Sequence, residues 1–414
     1  MFVPALHVDK ADTVWMLVST VLVLMMVLPG LALFYGGLVR TKNMLSILSQ
    51  CLGVTALAIL VWIGWGYSLA FADGTAIVGG PSKLFLAGIG GESAVPTPGG
   101  SAIPELVYAA FQMTFAAITG ALIVGSLAER VKFSAVMLFT GIWLTIVYAP
   151  VAHMVWASGG LIGRMGALDY AGGTVVHINA GVAGLVGALF AGQRIGFLRE
   201  ATPPHSLVMT LLGAGLLWVG WFGFNAGSAL EAGPGAAIAM MNSFVAPAAG
   251  LLAWMAAERI VSGKPSLLGG ASGAIAGLVA VTPAAGTAGP FGSLLLGVAA
   301  ALACYWFVGS VKNRLRLDDT LDVFGIHGLG GIVGSLGTAI VTAPALGGHG
   351  APDYSAGRQI LVQFAAVAIA IGWSAAGSTA AFFIVKKTIG LRVAPDEERQ
   401  GLDIVDHGER AYNY

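Results

Sequence analysis

Long apolar runs alternate with short polar breaks along this chain, and most of the runs are long enough to cross a bilayer. A spanning helix needs about 20 mostly apolar residues. Cutting at charges and Gly/Pro clusters predicts eleven such helices, at 13–38, 44–72, 105–127, 133–151, 170–191, 206–226, 235–257, 266–281, 291–311, 321–342 and 359–386. The eighth is short and glycine-rich. No ten-residue alternation of apolar and polar positions recurs, so spanning strands are not expected. A weakly charged surface loop, 73–104, separates the second and third runs. The polar tail 387–414 is too short to fold alone, and is expected to pack on neighbouring loops or to dock a partner.

The breaks also orient the runs, because Lys and Arg collect on the cytoplasmic side of membrane proteins. With the N-terminus outside, sixteen of the twenty Lys and Arg are cytoplasmic, and Lys10, Lys83, Arg164 and Arg358 are not. The expectation is an outer N-terminus, an inner C-terminus and an odd number of helices. The opening stretch MFVPALHVDKADTVW lacks a basic region followed by a cleavage site. The first run is therefore read as an insertion signal that stays in the protein.

Composition agrees with the pattern. Charged residues make up 10%, against about 25% in soluble domains, and mean hydropathy is +0.85. Net charge is zero, which leaves no basic excess for nucleic acid. Cys51 and Cys304 lie inside apolar runs and read as small buried hydrophobes. No disulfide framework or metal-ligand spacing is present.

An internal repeat stands out. TVVHINAGVAGLVG (174–187) and FGIHGLGGIVGSLG (324–337) each carry a histidine, His177 and His327, followed by glycines at +4, +7 and +10. The fifth and tenth spans run in opposite directions. The chain thus reads as two inverted five-helix halves, 13–191 and 206–342, plus a last helix, 359–386. In transporters so built, the working site lies where the halves meet. Glycines spaced by three and four share one helix face and let helices approach closely in lipid.

The intramembrane polar groups are the candidate chemistry. A histidine in a span can be interhelical glue, worth about 0.6 kcal/mol. Two at matching positions point instead to a pathway, because a neutral imidazole both donates and accepts. Asp169 reads as a cap on the fifth helix, and equally as an anionic group favouring cations at the outer mouth. Phe111, Phe115, Trp156, Trp221, Phe222, Phe224, Asn225 and Ser228 all fall toward the outer side. Most aromatics there form an interfacial belt. If Phe115, Trp156 and Ser228 converge, they offer ring faces and a hydroxyl to a small cation with N–H donors.

Depth raises a difficulty. His177 is eight residues past Asp169, about 12 Å of helical rise, and His327 is five past Asp322, about 7.5 Å. In a core about 30 Å thick, the rings meet only if Asp322 is drawn inward or an inner vestibule reaches up to it.

Seven motifs, in order from about residue 9 to 414, resemble the Amt/Mep/Rh ammonium transporters, most closely the bacterial Amt branch. They include PGLALFYGGLVRTKN, AFQMTFAAITGALIVGSLAER, GALDYAGGTVVHINAG, GWFGFNAGSA, DVFGIHGLGGIVG and GLRVAPDEERQGLDIVDHGERAY. The resemblance implies an all-α polytopic membrane protein, residues 1–386, with a cytoplasmic tail, and a homotrimer with one pore per subunit in the cell membrane. It implies that Phe115, Trp156 and Ser228 recruit ammonium, and that Phe115 and Phe224 close the outer end of the pore. His177 and His327 are implied as the pore pair and Asp169 as the acid organising the outer site. The tail, with Asp403, His407, Gly408 and Tyr412, is implied as part of a surface for a PII-type signalling protein. No enzyme activity and no cofactor are implied.

Physics adds that an unpaired cation cannot cross an oily pore, and a cation–π contact contributes only about 0.5–2 kcal/mol. The ion is expected to lose a proton near Phe115 and to pass as ammonia. A neutral and an electrogenic route both stay open. Three rival readings use the same kinds of residue. A membrane cytochrome would use the histidines as axial haem ligands. An ammonium sensor would use the same site with the tail as output; a self-contained one lacks a kinase or cyclase domain in this sequence. An intramembrane hydrolase lacks its motif.

Overall fold

The computed structural model describes residues 7–412; the first six residues of the opening stretch and the last two of the tail lie outside the described residues. Among the described residues, eleven helices are long and apolar enough to span a membrane: Lys10–Leu38, Thr41–Phe71, Glu105–Leu127, Phe133–Arg164, Gly173–Ala191, Leu207–Gly227, Pro234–Ser262, Leu267–Ala284, Pro290–Arg314, Phe324–Val341 and Ala356–Thr388. The third, fifth and eighth are the most enclosed, and the eleventh is the least. Enclosure explains the glycines of the eighth, which packs tightly against the seventh and ninth. Side-chain oxygens of Asp9, Ser206, Ser266 and Ser355 cap four of the helices.

The fourth span runs past its expected end at 151. Pro150 does not stop it, because the π-helical turn Leu144–Tyr148 comes just before and the proline falls in the first turn of the next helix. There its missing N–H is not needed. The long loop 73–104 has secondary structure of its own. It carries an antiparallel pair, β1 (Ala94–Pro96) and β2 (Ala102–Pro104). Asp12 ties it to the first span by accepting from Ser101 Oγ at 2.5 Å.

The tail packs on the ends of the spans. The short helix Leu402–His407 offers Asp403, which accepts from the Ser46 N–H at 2.8 Å, and Asp406, which accepts from the Phe133 N–H at 3.1 Å. Each carboxylate thereby caps a span, the second and the fourth. Burial pushes both carboxyls up from the ordinary range, while these backbone hydrogen bonds pull them down. The His407 ring meets Phe133 edge-on at 5.4 Å, Gly408 ends the helix at φ 68°, and the Tyr412 hydroxyl lies 3.3 Å from His205 Nε2.

The repeat is visible in the packing. A Cβ on Gly181 would collide with the Gly328 backbone, and one on the matching Gly331 would sit 3.1 Å from Ile178 N. Gly328 and Ile178 are themselves matching positions, so the two contacts are related by one pseudo-two-fold. Gly181→Ala is expected to lower the thermal midpoint, since overpacking costs about 1–3 kcal/mol and backbone cannot rotate away. Gly215, which has nothing within 4 Å of a built Cβ, is the control: Gly215→Ala should leave the midpoint unchanged or raise it. Equal midpoints for the two variants would contradict this account of the crossing.

Candidate functional site

Both histidines sit in π-helical turns, His177 in Gly173–Ile178 and His327 in Phe324–Gly328. Such turns are frequent at functional sites. The rings do meet: Nδ1 of His327 lies 3.2 Å from Nδ1 of His177, with ring planes 22° apart. One ring donates and the other accepts, so the contact fits two neutral imidazoles. His177 Nε2 is buried with no partner among the described residues, which leaves a nitrogen free for a guest.

What resolves the depth problem is a vestibule. A cavity of about 380 Å³ reaches His327 from the tail side, walled by Tyr35, Trp254, Tyr305 and Asp322 among others. On the other side of the pair, a space of about 10 Å³ is lined by His177, His327, Trp221, Phe224, Ile118 and Leu217, with other apolar residues. That is about room for one water. It leaves no place for a haem between the rings, which removes the cytochrome reading.

Above the pair the aromatics form a continuous stack. Phe224 lies 5.9 Å from His177, Phe115 stacks on Phe224 at 4.1 Å and 14°, and Trp156 meets Phe115 edge-on at 5.9 Å. Phe111 backs Phe115 at 4.9 Å. Phe115 and Phe224 are buried while Trp156 is half-buried, so the route is shut between the tryptophan and the histidines. Ser228 ends the sixth span, half-buried, and donates to the Phe224 carbonyl at 2.8 Å. Its hydroxyl proton is thus used within its own helix, which leaves the oxygen lone pairs.

Asp169 is a clamp. Its Oδ1 accepts from the N–H groups of Gly172 at 2.8 Å and Gly173 at 2.6 Å. Its Oδ2 accepts from those of Thr174 at 2.8 Å and Val175 at 3.2 Å, and from the Thr174 hydroxyl. Burial pushes this carboxyl above its ordinary value, and the bonds from Thr174, Gly172 and Gly173 act against that. The Asp169 carbonyl accepts from Trp156 Nε1 at 2.9 Å, so one residue fixes both the helix start and the tryptophan.

Asp322, from which the depth of His327 was counted, is not the counterpart of Asp169. Asp322 is ion-paired with Lys312 on the tail side. The counterpart of Asp169 is Asp319, buried, accepting from Ser126 Oγ at 2.6 Å, Val323 N at 3.1 Å and Phe324 N at 2.8 Å. The signal was available, because Asp319 precedes His327 by eight residues, as Asp169 precedes His177. Trp221 was grouped with the outer aromatics, yet it lies deeper, stacked on His177 at 5.5 Å.

Toward the tail, Arg194 bridges Glu129 at 3.0 Å and Asp318 at 2.8 Å, and Arg40 joins Glu129 at 2.9 Å. Burial pushes the Glu129 carboxyl up, but Arg194 and Arg40 outweigh it and hold it below the ordinary value. These ions are structural ties beside the vestibule.

The profile described as the Ammonium Transporter Family matches residues 14–412. An ammonium transporter of Aquifex aeolicus is 46% identical over 407 residues, 98% of this chain and 94% of the relative. One from Bacillus subtilis is 45% identical, over 98% of this chain and 99% of the relative. The crystal structure of Saccharomyces cerevisiae Mep2 superposes with a TM-score of 0.86 at 35% identity, over 94% of this chain and 89% of that one. A protein described as a sensor Amt protein gives a TM-score of 0.88 at 26% identity, over 96% of this chain and 98% of that one.

Proposed function

The chain belongs to the ammonium transporter family, a multi-pass membrane transport protein rather than an enzyme, and from that premise we propose how its own residues carry out transport. Ammonium is recruited on the outer face by the rings of Trp156 and Phe115, through their faces, and by the lone pairs of Ser228. It gives a proton to water at that outer mouth, because among the described residues no charge partner lies along the apolar route beyond. Ammonia passes as Phe115 and Phe224 part, accepts and donates hydrogen bonds at His177 and His327, and is protonated again in the vestibule. The observation that carries this reading is the 3.2 Å contact between the imidazoles at the end of a closed aromatic stack. In this reading the N-terminus faces outward and the tail lies in the cytoplasm.

The functional unit proposed is a homotrimer, each subunit with its own pore. The tail face with Asp403, His407, Gly408 and Tyr412 would receive a PII-type signalling protein. Its caps on the second and fourth spans support a link between that face and the pore. Sensing through such a partner is the second reading, supported by the likeness to a protein described as a sensor Amt protein.

The test is uptake of a labelled ammonium analogue, or current, in proteoliposomes. Wild type should transport saturably and exclude potassium. Trp156→Leu removes a cation–π contact of about 0.5–2 kcal/mol, so its KM should rise by about twofold to thirtyfold. No saturable transport by wild type would defeat the reading. An unchanged KM in Trp156→Leu would remove the tryptophan from recruitment.

A further inference from the structure

Thr282 sits in the last turn of the eighth span, fully buried. Its hydroxyl donates to the Leu278 carbonyl at 2.8 Å and accepts from Trp221 Nε1 at 3.0 Å. With its single proton committed to Leu278, the oxygen meets the indole purely as an acceptor. Trp221 in turn lies against the face of His177, centroids 5.5 Å apart and planes 24° apart, and against Phe224 at 5.7 Å. The His177 ring has one hydrogen bond, to His327. A single bond leaves the ring free to swing about it, so the flat wall of Trp221 sets its plane. The indole itself is held by Thr282.

The same turn, Thr282–Ala284, touches the fifth span a second time. The Pro283 carbonyl accepts from the Tyr170 N–H at 3.1 Å, next to Asp169, and the Pro283 ring closes on Gly173, where a Cβ would sit 2.7 Å away. A turn from the second half thus braces the histidine of the first half at both ends of its approach. His327 has no such wall, since its free side opens to the vestibule.

We infer that Thr282 is a positioning residue for translocation, acting through Trp221 to hold the His177 ring in the plane that lets ammonia pass. The inference rests on the reading that His177 lines the path. Thr282→Val keeps the branched shape and removes the acceptor. The stranded indole N–H then seeks another partner, and the free His177 Nε2 is within the same small space.

The experiment measures uptake of a labelled ammonium analogue against concentration in proteoliposomes for wild type, Thr282→Val, Thr282→Ser, Trp221→Phe and the Trp221→Phe/Thr282→Val pair. Thr282→Val should lose at least about tenfold in maximal rate, since misplacements of about 1 Å cost factors of that order or more. KM should stay within about twofold, because recruitment lies outside the gate. Thr282→Ser should restore the rate. In the Trp221→Phe background, where no indole N–H exists, Thr282→Val should cause no further loss. Ultraviolet resonance Raman difference spectra should show one hydrogen-bonded indole lost in Thr282→Val and regained in Thr282→Ser. A wild-type rate in Thr282→Val, or losses that multiply in the pair, would overturn the inference. Should Thr282→Val not fold, Trp221→Phe removes the donor instead, and an unchanged rate there overturns it equally. Absence of saturable transport in wild type would instead strike the pore reading.

Discussion

Replacing His177 and His327 together with alanine is expected to lower saturable ammonium transport by about tenfold to a hundredfold and to admit larger or charged species. The two effects have separate causes. The space beside the rings is about 10 Å³, and apart from the imidazoles its wall is apolar save for the edge of Trp221. Ammonia that cannot hydrogen-bond there keeps a desolvation penalty of about 1–3 kcal/mol, and 1.4 kcal/mol is a factor of ten. Removing both rings also widens this small space, so size exclusion weakens as hydrogen bonding is lost. Uptake of a labelled ammonium analogue and potassium leak, measured on the same liposomes, separate the two.

The single variants add a finer reading. The rings share one contact of 3.2 Å, so either alanine breaks it. If the pair hands on a proton as a unit, His177→Ala and His327→Ala should each abolish current as fully as the double variant, in the non-additive manner of groups acting together. If the rings only line the path, the single losses should multiply to give the double. Unchanged transport, current and selectivity in the double variant would take the histidines out of the route altogether.

How much of this was legible in the sequence differs from residue to residue. The eleven spans were legible because a bilayer imposes length and apolarity on every crossing segment. His177 and His327 were legible because the glycine pattern repeated around them, and Gly181 and Gly331 do lie at the crossing. Asp319 was overlooked because a carboxylate wrapped around backbone N–H groups looks, in sequence, like any acid at a helix start. Asp322 was nearer and drew attention, yet it belongs to Lys312. The depth of His327 was misjudged because helical rise counts from a boundary, and sequence gives no sign of a vestibule that moves the boundary inward. Trp221 was hidden among the aromatics of an interfacial belt. Nothing in a hydropathy pattern distinguishes a ring that faces lipid from one that backs a histidine.

Asp169→Ala is expected to be the most damaging single change, lowering the thermal midpoint and abolishing transport together. The substitution strands four backbone N–H groups, of Gly172, Gly173, Thr174 and Val175, and the Thr174 hydroxyl. Each buried donor left without an acceptor costs about 1–3 kcal/mol. Against a total stability of about 5–15 kcal/mol, several at once would unwind the start of the fifth span and release His177 and Trp156 with it. Asp169→Asn retains one carbonyl oxygen but turns an NH₂ toward donors, so its loss should fall between wild type and alanine. Asp319→Ala should do the same at the opposite end, freeing His327. These bonds also bear on whether Asp169 takes the proton from ammonium. A carboxylate whose two oxygens already accept from five donors has no lone pair left to take that proton. The clamp therefore requires transport to fall in step with stability across the alanine and asparagine variants. An Asp169→Ala protein with a wild-type midpoint and no transport would show the carboxylate acting on the substrate itself, and the clamp would not be its role.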